Sequence, residues 1–343
     1  MVLRISHKKS WYDHINERKI HTGNIPRLGG VGFAAAFVIA AVFVNFAVEK
    51  TGFGLRFLPV LPAMFLIIIS GAYDDFRPMA PRYKLLIQII AALCVIIPGF
   101  TFHQLLDPAW NFSGLNWIRY PLTFIWIVGL INAINFIDGI DGLAGGISLL
   151  AALTFALIAF SGSGFTALFC ICLAGAVGGF LVFNAPFPGA KIFMGDGGSQ
   201  FLGFTLALFP LIEERNSPAA LPVLYAAALL GIPIFDLIAS IWRRVRDGRR
   251  IYNPDKYHLH HKLMRLTRSA RRVDLILWGL QIVLGALVYF AVQAKGRLSL
   301  IILGAAYAVI IAFFTVIHFL NRRITRRSGG PGKLVDELPA TAD

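Results

Sequence analysis

Charge is what this chain has least of. Only 15% of its 343 residues are Asp, Glu, Lys or Arg, and acids are scarcer still, 18 against 32 bases. A soluble domain carries about 25% charged residues, which excludes a water-soluble chain with one core. Cysteine is scarce too: Cys94, Cys170 and Cys172 all lie inside apolar runs. That usage excludes a disulfide framework. With no His or further Cys nearby, the Cys170-x-Cys172 pair reads as helix packing rather than metal binding. No run alternates with period two, against a lipid-facing barrel. No repeat of fixed period supports an inverted-repeat transporter, and no Walker spacing supports a P-loop. Residues 1–29 are too polar for the apolar core of a cleavable signal peptide.

What is abundant is apolar sequence, 57% of the chain, with a mean hydropathy of +0.69. About ten runs approach the roughly 20 residues that cross a bilayer as helix: 30–49, 56–72, 84–100, 120–137, 142–162, 165–185, 200–212, 219–242, 273–293 and 298–320. Only helices or closed barrels satisfy their backbone in lipid. The expected fold is therefore all-α, a polytopic transmembrane bundle of about ten helices. One membrane domain fills 1–327, opening on a basic segment 1–29. The tail 328–343 reads as disordered, and the 101–119 loop, with Trp110 and Trp117, as interfacial.

Net charge +14 invites a nucleic-acid reading, but its distribution argues against one. If loops alternate sides, 26 of the 32 bases fall on one side and six on the other: Lys50, Arg56, Arg119, Arg215, Lys295 and Arg297. Basic loops stay in the cytoplasm and suit an anionic leaflet. Both termini are thus expected inside, with a lipid bilayer and no nucleic acid as partner.

Four polar clusters interrupt the apolar runs, all at ends on the basic side. The first is Tyr73-Asp74-Asp75-Phe76-Arg77-Pro78, followed by Pro81-Arg82-Tyr83-Lys84. Adjacent carboxylates repel unless a cation joins them; Mg²⁺ with substrate phosphates is one partner, Arg77 and Arg82 at a solvated helix end another. The second holds Asn135, Asp138 and Asp141, three apart and so on roughly one helical face, then Gly142-Leu-Ala-Gly-Gly146. The third runs from Asn184 through Lys191-Ile-Phe193-Met-Gly195-Asp196-Gly197-Gly198-Ser199, a carboxylate, strained-turn glycines and free N–H groups opening a helix. The fourth is His258-Leu-His260-His261, after Asp236 and Arg243-Arg244. Three histidines invite zinc, but the surrounding Arg and Lys favour a diphosphate; a grip on lipid headgroups is the plainer alternative.

Together with Ile25-Pro-Arg-Leu-Gly-Gly30, these motifs in this order closely resemble the polyprenyl-phosphate N-acetylhexosamine-1-phosphate transferases over residues 15–265. The His258-x-His260-His261 form resembles the branch that uses UDP-N-acetylglucosamine more than the phospho-N-acetylmuramoyl-pentapeptide branch. Members of that branch carry a further span before the Pro-Arg-Leu-Gly-Gly entry, where this sequence has about 25 mostly polar residues. The resemblance implies transfer of a sugar-1-phosphate from a UDP-N-acetylhexosamine to undecaprenyl phosphate at the cytoplasmic face of a bacterial inner membrane. It implies release of UMP and a need for Mg²⁺, which Mn²⁺ can replace, and it leaves monomer and homodimer open.

By the same resemblance Asp196 is the metal ligand, with Asp75 a second candidate. Asp74 is the base or positioner for the lipid phosphate, supported by Asp75. Asn135, Asp138 and Asp141 line the nucleotide, and His258, His260 and His261 the diphosphate or sugar. Asn184, Lys191, Phe193, Gly195 and Gly197 complete the substrate-binding set. A cation-coupled transporter, the rival class, would place ionisable groups at mid-span, where this sequence is apolar.

Overall fold

The structure, a computed structural model, describes residues 6, 25–47, 58–102, 116–160, 162, 164–185, 189–212, 221–250 and 257–327. The expected disordered tail, Trp110 and most of the basic N-terminal segment lie outside these residues. The helices run as α1 (Gly29–Ala47), α2 (Leu61–Phe76), α3 (Pro81–Ile96), α4 (Arg119–Ile137), α5 (Leu143–Ala159) and α6 (Gly164–Asn184). They continue as α7 (Gly195–Leu208), α8 (Val223–Leu229), α9 (Gly231–Arg246), α10 (Leu259–Thr267), α11 (Ala270–Gln293) and α12 (Arg297–Arg327). There is no strand among the described residues, so the all-helical expectation holds.

A helix falls on each of the ten apolar runs. Among the described residues six helices are long and apolar enough to span a membrane: α1, α2 with the turn before it, α4, α6, α11 and α12. The α8–α9 pair, bent by 88° at Leu230, makes up to a seventh. The molecule is a multi-pass membrane protein. The other runs form shorter helices, and α7 shows why length need not track the bilayer. Every residue of α7 from Gly197 to Leu208 is buried, as suits a helix that is apolar on all sides. It is the axis of the bundle, packed by α1, α2 and α4.

Small residues let these backbones touch, the usual device where lipid offers no hydrophobic drive to pack. A Cβ on Gly30 of α1 would collide with the backbone of Gly198, and one on Gly71 of α2 with that of Gly197. Hence the glycines of the third motif dock the first turn of α7 against both neighbours. Aromatic side chains fill the layer beyond: Phe37 meets Phe169 at 4.9 Å and Phe201 at 5.9 Å between ring centroids. Cys170 is buried in the packed layer, and Cys94 and Cys172 are partly buried.

Candidate functional site

All four motifs and the Pro-Arg-Leu-Gly-Gly entry meet around the N-terminus of α7. The entry comes in as backbone: Phe193 N–H donates to Pro26 O (2.8 Å), Gly29 N–H to Phe193 O (3.0 Å) and Gly30 N–H to Met194 O (2.9 Å). The chain then turns at Gly195, whose φ of +73° suits glycine; a Cβ there would also strike the Arg27 carbonyl and the Asp75 carboxylate. Asp75, at the end of α2, accepts from Asp196 N–H at 2.8 Å and Gly197 N–H at 3.2 Å. One carboxylate thus caps the helix it faces, and Asp75 shapes the loop that carries Asp196.

Asp74 and Asp196 are joined by a residue to which the sequence reading gave no role. Lys84, one turn into α3, places its Nζ 2.5 Å from Asp74 Oδ2 and 2.8 Å from Asp196 Oδ2. Asp74 Oδ1 accepts from Met79 N–H at 2.7 Å. Both Asp74 oxygens are therefore engaged. The available signal was positional: Pro81 starts a helix at Lys84's own turn, which aims a lysine back over the Asp-Asp pair.

The second motif closes the next side. Asn135 donates through Nδ2 to Ser199 Oγ at 2.8 Å. Helix α4 ends at Asp138, and Gly142 (φ +85°) starts α5, so Asn135 is helical while Asp138 and Asp141 sit in the turn. Burial, reinforced by the negative charges of Asp196, Asp141 and Asp75, pushes the Asp138 carboxyl up to about 8. Asp141 Oδ2 accepts from Ala190 N–H at 3.3 Å. Asn184 ties motifs two and three together, accepting from Gly142 N–H (2.8 Å) and donating to Ile192 O (2.9 Å). Lys191 is exposed, and its N–H donates to Phe183 O at 2.8 Å.

The histidines form the last wall. His258 Nδ1 lies 2.8 Å from Asp236 Oδ2, and Leu259 N–H donates to Asp236 Oδ1 at 2.9 Å. Asp236, 1% exposed, thus fixes both a ring and the start of α10. The sequence reading mentioned it without a role, although a lone acid in an apolar run was the signal. Phe136 packs on His258 at 5.3 Å and takes the Arg244 guanidinium over its ring at 5.3 Å. His260 fits only because residue 139 is glycine: a Cβ there would overlap its imidazole. Burial, with His261 and His258 beside it, holds His260 well below the usual histidine range, so it is neutral at physiological pH. His261 lies against it at 4.2 Å between ring centroids with its ring tilted by 46°, while the His258 ring is stacked parallel at 5.9 Å.

Among the described residues no three His, Cys, Asp or Glu side chains form a ready metal cage. The donor chemistry still fits Mg²⁺, which takes hard oxygens from one or two carboxylates and completes its shell with phosphate and water. The charge of Asp196 is felt at Asp138, and Asp196 is already bridged to Asp74 by a cationic nitrogen. A patch that holds an ammonium between two acids is suited to a divalent ion.

Comparison with known proteins agrees with this geometry. The model of "Glycosyl transferase family 4" matches residues 57–213. A Bacillus subtilis protein described as a probable undecaprenyl-phosphate N-acetylglucosaminyl 1-phosphate transferase is 34% identical over 282 residues, 81% of this chain and 76% of that protein. The decaprenyl-phosphate N-acetylglucosaminephosphotransferase of Mycobacterium leprae is 33% identical, covering 90% of this chain and 83% of its own. The undecaprenyl-phosphate alpha-N-acetylglucosaminyl 1-phosphate transferase of Escherichia coli K12 is 26% identical, covering 80% and 74%.

Proposed function

Because the chain belongs to the polyprenyl-phosphate N-acetylhexosamine-1-phosphate transferases of glycosyl transferase family 4, we propose that it moves N-acetylglucosamine-1-phosphate from UDP-N-acetylglucosamine to undecaprenyl phosphate. UMP is released, and a lipid-linked envelope glycan begins. The observation that carries this reading is the convergence of carboxylates, loop glycines and histidines at the head of one buried helix. The split of 26 bases against six supports a cytoplasmic site, where UDP-sugars are found. Relatives named for N-acetylglucosamine favour that sugar over phospho-N-acetylmuramoyl-pentapeptide.

In this reaction an oxygen of the lipid phosphate attacks the phosphorus that bears the sugar. The bond from that phosphorus to the UMP oxygen breaks, and UMP leaves with the electron pair. A phosphate monoester has its second pKa near about 6, so the acceptor is already ionised at neutral pH and needs placement more than deprotonation. The full engagement of Asp74 by Met79 and Lys84 supports a positioning role for it. Lys84 sets a positive charge where two anions must approach, the electrostatic help such a transfer needs most. Bound Mg²⁺ would supply further neutralisation of the phosphates, held by Asp196 with Asp75 as the second candidate ligand. Neutral His260 and its neighbours would hydrogen-bond the diphosphate side, and Asn135, Asp138 and Asp141 the nucleotide side.

The test is purified protein given radiolabelled UDP-N-acetylglucosamine and undecaprenyl phosphate, with Mg²⁺ or with EDTA. Labelled lipid and UMP should form in equal amounts and only with the metal. No labelled lipid from this donor, or preference for UDP-N-acetylmuramoyl-pentapeptide, overturns the assignment.

A further inference from the structure

One helical turn from the Lys84–Asp196 pair, three amide side chains form a chain to which the reaction itself gives no role. Gln88 of α3 and Gln200 of α7 are both buried. Asn132 of α4 donates through Nδ2 to Gln88 Oε1 at 2.7 Å and to Val128 O at 2.8 Å. Gln88 Nε2 in turn donates to Gln200 Oε1 at 3.3 Å. Gln88 stands four residues after Lys84, and Gln200 four after Asp196, so each glutamine shares a helix face with one member of the ion pair. Helix α3 packs on α2 and α4 and reaches α7 through a ladder of long side chains. The upper rung is Lys84–Asp196 at 2.8 Å, the lower rung Gln88–Gln200. Their neighbours along the chain, Ala91, Ala92, Ile131 and Ile134, are fully buried, so an amide that slips from its partner meets apolar side chains rather than water.

We propose that Gln88 is a positioning residue for Lys84, an inference that rests on the transferase reading above. A lysine stem is long and flexible, and its ammonium meets both Asp74 and Asp196 only while α3 keeps its register against α7. The lower rung fixes that register. If α3 slides or turns, Gln200 loses its donor and Gln88 its acceptor, each where a lone polar group is costly. Asn132 holds the carbonyl end of Gln88 and so leaves its amide nitrogen aimed at Gln200. The same bond ties the register to α4, whose next turn carries Asn135. Amides suit the task because they are neutral: the rung adds no ion to compete for the acids that Lys84 holds.

The experiment is a double-mutant cycle of Lys84→Met and Gln88→Met, read as kcat and KM for UDP-N-acetylglucosamine and as the rise in melting temperature on adding Mg²⁺. Gln88→Met alone should lower kcat by about ten- to a hundredfold, the scale for a group that orients another, with KM little changed. In the Lys84→Met background the same substitution should cost almost nothing further, because the group it places is gone. Equal losses in the two backgrounds overturn the proposal. The pair Gln88→Met with Gln200→Met makes both ends of the rung apolar, which costs little stability. Its melting temperature should recover towards wild type while kcat stays low; a kcat that recovers with it makes the amides merely structural and overturns the proposal. A wild type that makes no labelled lipid sinks the transferase reading instead. The cycle is then read in the Mg²⁺ shift, which Gln88→Met should enlarge as Lys84→Met does, and a shift equal to that of wild type overturns the positioning role.

Discussion

At the carboxylate end of the site a lysine holds two acids, whereas at the histidine end one acid holds a ring and a helix terminus. Lys84 is partly exposed and bridges groups on α2 and α7. Asp236 is fully enclosed and anchors residues 22 and 23 positions away. The first arrangement is a charge balance that an incoming cation can re-partition. The second is a fixed scaffold, since a buried carboxylate that loses its hydrogen-bond partners is left unsatisfied. Chemistry that moves charge is therefore expected at the lysine end, and binding geometry at the histidine end.

Breaking the comparison at its strongest point means neutralising Asp196. Asp196→Asn keeps the size, removes the acid shared by Lys84 and the candidate metal, and should abolish turnover in a folded protein. Normal activity and Mg²⁺ dependence in that variant would remove it as the ligand. Asp74→Asn should cost several orders of magnitude if it places the acceptor oxygen.

Lys84→Met should lower kcat by about a hundred- to a thousandfold, the scale of losing one preorganised charge. It also leaves Asp74 and Asp196 without the cation between them. Mg²⁺ should then raise the melting temperature of Lys84→Met more than that of wild type. Equal shifts would mean that lysine and metal do not compete for the same acids.

The acids and glycines of this end were legible in the sequence because carboxylates are rare in apolar chains. Lys84 was not, because a lysine at a membrane surface is ordinary until the helix beginning at Pro81 fixes its direction. The all-helical class was equally plain from unbroken apolar runs. The central place of α7 was hidden, since its 14 residues look like a short span, and only the Gly30–Gly198 and Gly71–Gly197 approaches make it the axis.

At the histidine end, Asp236→Asn should raise KM for the UDP-sugar by roughly ten- to a hundredfold, the scale of one charged hydrogen bond. The kcat should change less, because the ring is misoriented rather than lost. A fall in kcat alone would move His258 from binding into the chemical step. His260→Ala and His261→Ala should likewise weaken UDP-sugar use without releasing metal; stoichiometric zinc lost in either variant would overturn the diphosphate assignment.

The smallest effect is a dependence on acidity confined to His260. Its folded pKa is held well below 6.5, first by burial and then by His261 and His258, while in the unfolded chain it titrates near about 6.5. The unfolded state therefore binds more protons below that value, so the stability contribution is present above about pH 6.5 and is lost as pH falls. Between pH 7.5 and 5.5 the wild-type melting temperature should drop, and His260→Gln, neutral throughout, should drop less. The difference between the two curves isolates this ring from the other histidines. If the curves stay parallel, His260 is protonated without penalty in the folded protein, and the neutral, enclosed imidazole that distinguishes this end from the lysine end is wrong.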